Sequence, residues 1–298
     1  MIPRFDMGAL QARDPEVLQA LARAAEEVGF MTLEGTALDA ARVRAVIGAY
    51  RDFFRQDMAA KAAVDMARTG SNRGWGAPKS EQVDPGANPD FKEVFDVGRA
   101  LPEGHPLAGL TVYGPNLWPD LPGFRAEVEG YFDAAMGVAM ELLRALAQAL
   151  SGDETAFDDA FAAPMALLRG NYYPPRPAEA GEKDFGIAAH TDYGCLTLLA
   201  TDGAPGLEVQ TREGWVPVAV EPGVFVINFG EMLEMWTAGR VKATPHRVIG
   251  GAAERISIPL FFNPSWDADV APKGAAPILA GAHLEGRFRE TYLHLKEA

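Results

Sequence analysis

The chain has 298 residues, 48% of them hydrophobic and 23% charged, and a formal net charge of −14, which is enough for one sizeable core in proportions ordinary for a globular protein. The acidic excess is unlike the basic footprint with which nucleic-acid binders displace counterions, and no run of about 18 apolar residues marks a transmembrane helix. Cys195 is the only cysteine, so no intrachain disulfide or CxxC motif exists; with no signal-like apolar stretch near Met1, the expectation is a cytoplasmic protein that binds neither membrane nor nucleic acid, its oligomeric state unreadable.

In chain order, "IPRFDMGAL" reads as a short extended segment. "DPEVLQALARAAEEVGF" carries helix boundaries: Asp14 to cap, Pro15 in the first turn, Gly29 past the end. Its apolar Val17, Leu18, Leu21, Ala25 and Val28 share one stripe. "FMTLEG" is a strand candidate, and "LDAARVRAVIGAYRDFFRQD" a second helix with Val43, Val46, Ile47, Tyr50 and Phe54 inward. From about Arg68 to Asn116 the texture turns Gly-, Pro- and Asn-rich, which predicts a long irregular segment broken by the short run "FKEVFDVG". Long loops of this kind in compact domains are functional or disordered. The longest helical signal is "LPGFRAEVEGYFDAAMGVAMELLRALAQALSG", with apolar residues from Phe124 to Leu150 at spacings of three and four and Gly152 past the end.

After Ala163 the pattern changes to short strands: "ALLRGNYY", "GIAAHTD", "CLTLLAT", "GLEVQ", "WVPVAV", "GVFVINF", "PHRVIG" and "RISIPLFF". Close spacing and intervening turn residues predict a sandwich, barrel or jelly roll. "EMLEMWTAG" interrupts them as a short helix, and "GAHLEGRFRETYLHLKEA" closes the chain as an amphipathic one, with His283 and His294 expected at its surface.

The chemistry sits among these strands. Alternate residues of a strand project to the same side, so His190 and Asp192 offer an imidazole and a carboxylate to one point. His246 lies in the same strand-rich region, and only five histidines exist. Two histidines and one carboxylate make the facial triad of non-haem Fe(II) oxygenases, with positions left open for co-substrate and dioxygen. Zinc would take the same ligands, though its catalytic sites keep fewer open positions. In "RISIPLFFNP", Arg255 and Ser257 alternate on one face. A buried guanidinium demands a partner: either a protein carboxylate or the far carboxylate of a bound α-keto dicarboxylate.

Taken in order, "GPNLWP", "RGNYYPPRP", "HTDYGCLTLL", "GLEVQ", "GWVPV", "VINFGEML", "KATPHRV" and "RISIPLFFNP" resemble the successive motifs of the isopenicillin N synthase-like Fe(II)/2-oxoglutarate-dependent oxygenases. The resemblance spans nearly the whole chain. It implies a mainly β protein with flanking helices (α+β) around a double-stranded β-helix, or jelly roll, and one compact unit. An N-terminal helical and lid region would occupy 1–118, the core 164–266, and supporting helices 119–163 and 267–298. It implies an enzyme with Fe(II), with 2-oxoglutarate and dioxygen as co-substrates, that oxidises a small molecule, by default through hydroxylation. His190, Asp192 and His246 match the iron ligands, Arg255 and Ser257 the pair on the far carboxylate, and Asn171 and Tyr173 positions near the co-substrate, with Tyr172 facing away.

The irregular 68–98 segment resembles the cover of the active site, which makes Asn72, Arg73, Trp75 and Phe95 candidate substrate contacts. Glu231 stands where the family commonly has Asp; the charge is kept, and little effect is expected. Two rival readings remain: a relative that uses Arg255 for another carboxylate, and a non-redox, cupin-like metal-binding jelly roll.

Overall fold

The computed structural model describes residues 2–291 apart from 83, 85, 87, 177, 179, 180, 182 and 183; His294 lies outside the described residues. The N-terminal part contains β1 (Arg4–Asp6), α1 (Met7–Gln11), α2 (Pro15–Arg23), β2 (Phe30–Glu34), α3 (Ala40–Phe54), α4 (Met58–Ala62), β3 (Gly74–Gly76), β4 (Glu93–Gly98) and the long α5 (Phe124–Ser151). Then come β5 (Met165–Tyr173), β6 (Ile187–His190), β7 (Leu196–Thr201), β8 (Leu207–Thr211), β9 (Gly214–Pro217), β10 (Phe225–Phe229), α6 (Glu231–Trp236), β11 (His246–Val248), β12 (Arg255–Asn263) and α7 (Ala280–Thr291). All eight strand candidates after Ala163 form strands.

The helix boundaries follow from local chemistry. Asp14 accepts hydrogen bonds from the amides of Glu16 and Val17 at the start of α2, which satisfies donors that the first turn leaves open. Asp39 does the same for α3 through Arg42.

The strands make two sheets. The larger has eight strands in the order β1-β2-β10-β7-β12-β5-β4-β3, and the smaller four, β6-β11-β8-β9. The strands' period of two decides what each face does. On β12, Ile256, Ile258, Leu260 and Phe262 are buried with Leu142, Leu146 and Leu143 of α5 in the principal core. The alternate residues Arg255, Ser257, Pro259 and Phe261 face into the barrel, where they line one cavity together with His190, Asp192 and His246. A second apolar cluster, Phe30, Tyr173, Leu207, Val209, Val226 and Val248, joins the two sheets from inside. The architecture is therefore a jelly roll whose large sheet carries the helices on its outer face.

The 68–116 stretch is more regular than its composition predicts. Gly74–Gly76 form β3, which pairs antiparallel with β4, and β4 pairs with β5, so this segment extends the large sheet. Short strands rich in glycine carry little periodic signal of their own and are recruited by the edge beside them.

Candidate metal centre and the cavity beside it

His190 ends β6 and His246 begins β11, and the two residues are directly paired across these antiparallel strands. Asp192 follows in the turn after β6. The Nε2 atoms of His190 and His246 each lie 3.7 Å from Asp192 Oδ1, and one donor atom from each residue falls within a 4.8 Å cluster. The turn that carries Asp192 packs tightly on the start of α6. The amides of Glu231 and Met232 donate to the carbonyls of Asp192 and Gly194. A Cβ on Gly230 would come within 2.5 Å of both these carbonyls, and one on Gly194 would strike the Asn263 side chain. The glycines of "HTDYG" and "NFGEM" are thus demanded by close approach.

The surrounding hydrogen bonds leave the converging atoms, the two Nε2 and Asp192 Oδ1, to one another. His190 Nδ1 meets the Ala188 carbonyl at 2.8 Å and His246 Nδ1 the Thr244 carbonyl at 3.3 Å, which assigns the proton to Nδ1 and presents Nε2. Asp192 Oδ2 accepts from Thr197 Oγ1 and from Asn228 Nδ2. Burial holds His190 below the usual imidazole range and, helped by the neighbouring His190, takes His246 down to about 4. Burial pushes the Asp192 carboxyl up, but the imidazoles of His246 and His190 and the Thr197 and Asn228 hydrogen bonds leave it below the ordinary value. Neutral imidazoles beside an ionised carboxylate are the protonation states that a divalent metal takes.

Deeper in the barrel, Arg255 is 4% exposed, with its guanidinium 5.0 Å from the centre of the Tyr173 ring. Its Nε and Nη1 are buried with no hydrogen-bond partner, as is Asn171 Oδ1. Ser257 pairs with Asn171, and Arg255 with Tyr173, across β12 and β5. Leaving such donors unmet in a protein interior is costly, so this end of the cavity is shaped for an anion that brings its own acceptors. No protein carboxylate salt-bridges Arg255 among the described residues. Tyr172 faces the other way and stacks on Phe54.

A second cavity, of about 130 Å³, adjoins the first and shares His190, Asp192, Asn171, Ile187 and Phe261 with it. Val112, Leu167, Leu284 and Phe288 give it an apolar wall, and Arg73, Glu81, Lys92 and Arg169 a charged one. Lys92 Nζ lies 2.8 Å from Glu81 and 2.7 Å from Asp90. Arg169 forks onto Asp96 at 2.8 and 2.7 Å and also reaches Glu81. Sequence reasoning missed this network. Its signal was Lys92 and Asp96, four residues apart and so on one face of the short run "FKEVFDVG", and Arg169 in the middle of a buried strand; Glu81 had none, lying in the Gly- and Pro-rich stretch.

Of the four expected substrate contacts, Arg73 lines this cavity, its Nη2 donating to the Val112 carbonyl. Asn72 lines a neighbouring groove with Phe288 and Arg289 instead. Trp75 and Phe95 require correction. Phe95 is fully buried among Tyr50, Phe53 and Phe124, and Trp75, 3% exposed, donates its indole N–H to Glu93. Paired across β3 and β4, they share the face that meets the helices, while the even residues of β4 lie on the sheet face of Leu167, Arg169 and Asn171, which line the cavity. His283 is also less exposed than expected: it is half-buried, with Nε2 3.2 Å from the Tyr193 carbonyl. Cys195 is a buried core residue.

Two family patterns match: one described as "non-haem dioxygenase in morphine synthesis N-terminal" over residues 2–121, and the 2OG-Fe(II) oxygenase superfamily over residues 164–264. A 2-oxoglutarate-Fe(II) type oxidoreductase of Emericella nidulans is 32% identical, with 96% of this chain and 86% of the relative covered. The chain belongs to the 2-oxoglutarate–Fe(II) oxygenases. A homoarginine-6-hydroxylase of Glycine max is 30% identical over 99% of this oxygenase and 98% of its own length. In structure, a full-length Neurospora crassa protein solved with α-ketoglutarate and thymine superposes with a TM-score of 0.84 at 27% identity, covering 97% and 96% of the two chains. The oxygenase is accordingly a non-haem iron enzyme that uses Fe(II) and 2-oxoglutarate for oxidation, which sets aside the cupin-like, non-redox reading. No helix of its described residues is long and apolar enough to cross a membrane.

Proposed function

We propose that His190, Asp192 and His246 hold the iron, that Arg255 and Ser257 take the far carboxylate of 2-oxoglutarate with Asn171 and Tyr173 beside it, and that the oxygenase hydroxylates a small molecule bound in the adjoining cavity. The observation that carries this reading is Arg255: a buried guanidinium with unmet donors, in the same cavity as three convergent metal donors. Bound there, Fe(II) and 2-oxoglutarate supply the oxidising chemistry of dioxygen, with loss of carbon dioxide from the co-substrate. The chain's own residues do the rest. Asn228 and Thr197 fix the Asp192 carboxylate, the backbone carbonyls fix both imidazoles, and apolar Leu199, Leu207 and Val248 keep the barrel dry.

The substrate is set by the second cavity. Its apolar wall suits a largely hydrocarbon or ring body, and the Lys92–Glu81–Arg169 wall, with Arg73, suits hydrogen-bonding groups at one edge. Small-molecule complexes of structural relatives, thymine for the Neurospora crassa protein, fit a pocket of this scale. The test is anaerobic reconstitution with Fe(II) and 2-oxoglutarate, followed by addition of oxygen and measurement of succinate. The expected result is succinate release that is lost in His190→Ala and that a Lys92→Gln change leaves in place while altering substrate KM. Release equal to the His190→Ala background would overturn the assignment of the ligands.

A further inference from the structure

Glu231, the first residue of α6, joins two parts of the fold. Glu231 Oε1 accepts two hydrogen bonds from different parts of the fold: from Thr191 Oγ1, the residue between His190 and Asp192, and from Arg287 Nη2 of α7 at 3.1 Å. Both donors converge on this one oxygen. The same α7 face touches the metal turn twice more. The Arg287 guanidinium lies 4.4 Å from the centre of the Tyr193 ring, and His283 Nε2 meets the Tyr193 carbonyl. Between these contacts, Leu284 and Phe288 of α7 line the substrate cavity beside His190, Thr191 and Asp192. The helix that walls the cavity therefore grips the turn that carries a metal ligand, and Glu231 is the shared atom group.

We propose that Glu231 is a positioning residue that couples the seating of α7 over the cavity to the geometry of the metal turn. Through Thr191 it holds the turn; through Arg287 it registers whether α7 is docked. The Arg287–Glu231 pair is partly exposed, 33% and 28% for the two side chains, and such pairs contribute little to stability. That makes it suitable as a latch that opens for substrate entry and product release at small cost. Coupling of this kind is reciprocal: if docking of α7 favours the metal-binding geometry, metal binding must favour docking by the same factor. The inference rests on the triad being the metal site, and its test separates the two.

The measurement is Co(II) affinity of the full chain without co-substrate, together with amide exchange across 280–290, for wild type, Arg287→Leu, Glu231→Gln and the double variant. Glutamine still accepts from Thr191 but offers Arg287 no charge. The expected result is metal affinity weakened roughly 5-fold in either single variant, no further loss in the double variant, and metal-induced slowing of α7 exchange in wild type that both singles lose. Arg287→Lys, which keeps the charge, should recover part of the effect. If metal affinities agree within about twofold, or wild-type α7 exchange ignores the metal, the coupling is wrong. If His190→Ala binds Co(II) as tightly as wild type, the ligand assignment fails instead.

Discussion

Asn228 Nδ2 lies 2.6 Å from Asp192 Oδ2, while the other carboxylate oxygen, Oδ1, is the one 3.7 Å from both imidazole nitrogens. The carboxylate is thereby held with one oxygen committed to protein and one to the open side. Asn228→Leu keeps the number and branching of the heavy atoms, removes the donor and frees the rotation of the carboxylate. Metal affinity should fall about 10-fold or more, the usual effect of losing a group that orients a ligand, with little change in far-UV circular dichroism. An affinity unchanged in a metal titration would show that Asn228 orients nothing.

Arg255 gives opposite effects on binding and on stability. Its Nε and Nη1 are buried and unmet by protein, and no carboxylate salt-bridges it among the described residues, so the fold bears the desolvation of a charge without an ion-pair partner. Arg255→Leu should therefore leave the melting temperature of the protein without 2-oxoglutarate unchanged or raised. The same variant should weaken 2-oxoglutarate binding roughly 10- to 100-fold, the equivalent of a lost charge-assisted hydrogen bond, and lose the thermal shift that the co-substrate gives wild type. A large drop in melting temperature would mean that Arg255 is paired within the protein.

Phe95 separates cavity from core. With ring centroids 4.5 Å from Phe53 and 5.3 Å from Phe124, it belongs to the contact between β4 and the helices. Phe95→Ala should destabilise by about 3–5 kcal/mol in denaturant unfolding, without shifting the Michaelis constant for substrate under conditions where the variant is folded. A selective change in substrate affinity at wild-type stability would return Phe95 to the pocket.

The same residue shows where sequence reading stops. The H-x-D spacing marks His190 and Asp192 as a pair, although Asp192 sits in the turn after β6 and not on the strand that alternation assumes, and the five-histidine inventory singles out His246, because ligand types are rare. The long helices α2, α3 and α5 and the eight strands after Ala163 were equally legible, since periodicity and turn residues mark them directly; the five-residue helices were not, α1 lying largely in a stretch read as extended and α4 showing too few turns to carry a period. Parity on β4 was not: which of Phe95 and Asp96 shares the sheet face of the cavity lining depends on register with β5, where Asp96 sits opposite Arg169 and Phe95 opposite Gly170. The partners of the metal turn were beyond reach for a similar reason. Glu231 and Arg287 are far apart in the chain, and nothing local in either segment announces the other.

The buried wall of the cavity makes a prediction about acid. Glu81 is 3% exposed; burial by itself would raise its pKa, but Arg169 and then Lys92 outweigh it and bring the carboxyl from 4.5 to about 2. Asp90 and Asp96 go the other way, because for them burial wins over Lys92 and Arg169 and raises both. The acid profile of the whole protein is thus a contest, and the informative quantity is the gap between wild type and Glu81→Gln. A carboxylate whose folded pKa lies below its unfolded one contributes its stability in full above the unfolded value and loses it as pH falls through the folded one. The gap should therefore be present at pH 6, on the order of 3 kcal/mol, and shrink as pH drops below about 4.5 toward 2. Urea unfolding at pH 6 and at about 3.5 measures it where the protein is still folded. A gap that stays constant, or widens in acid, would mean that Glu81 is not the ionised partner that Lys92 and Arg169 share.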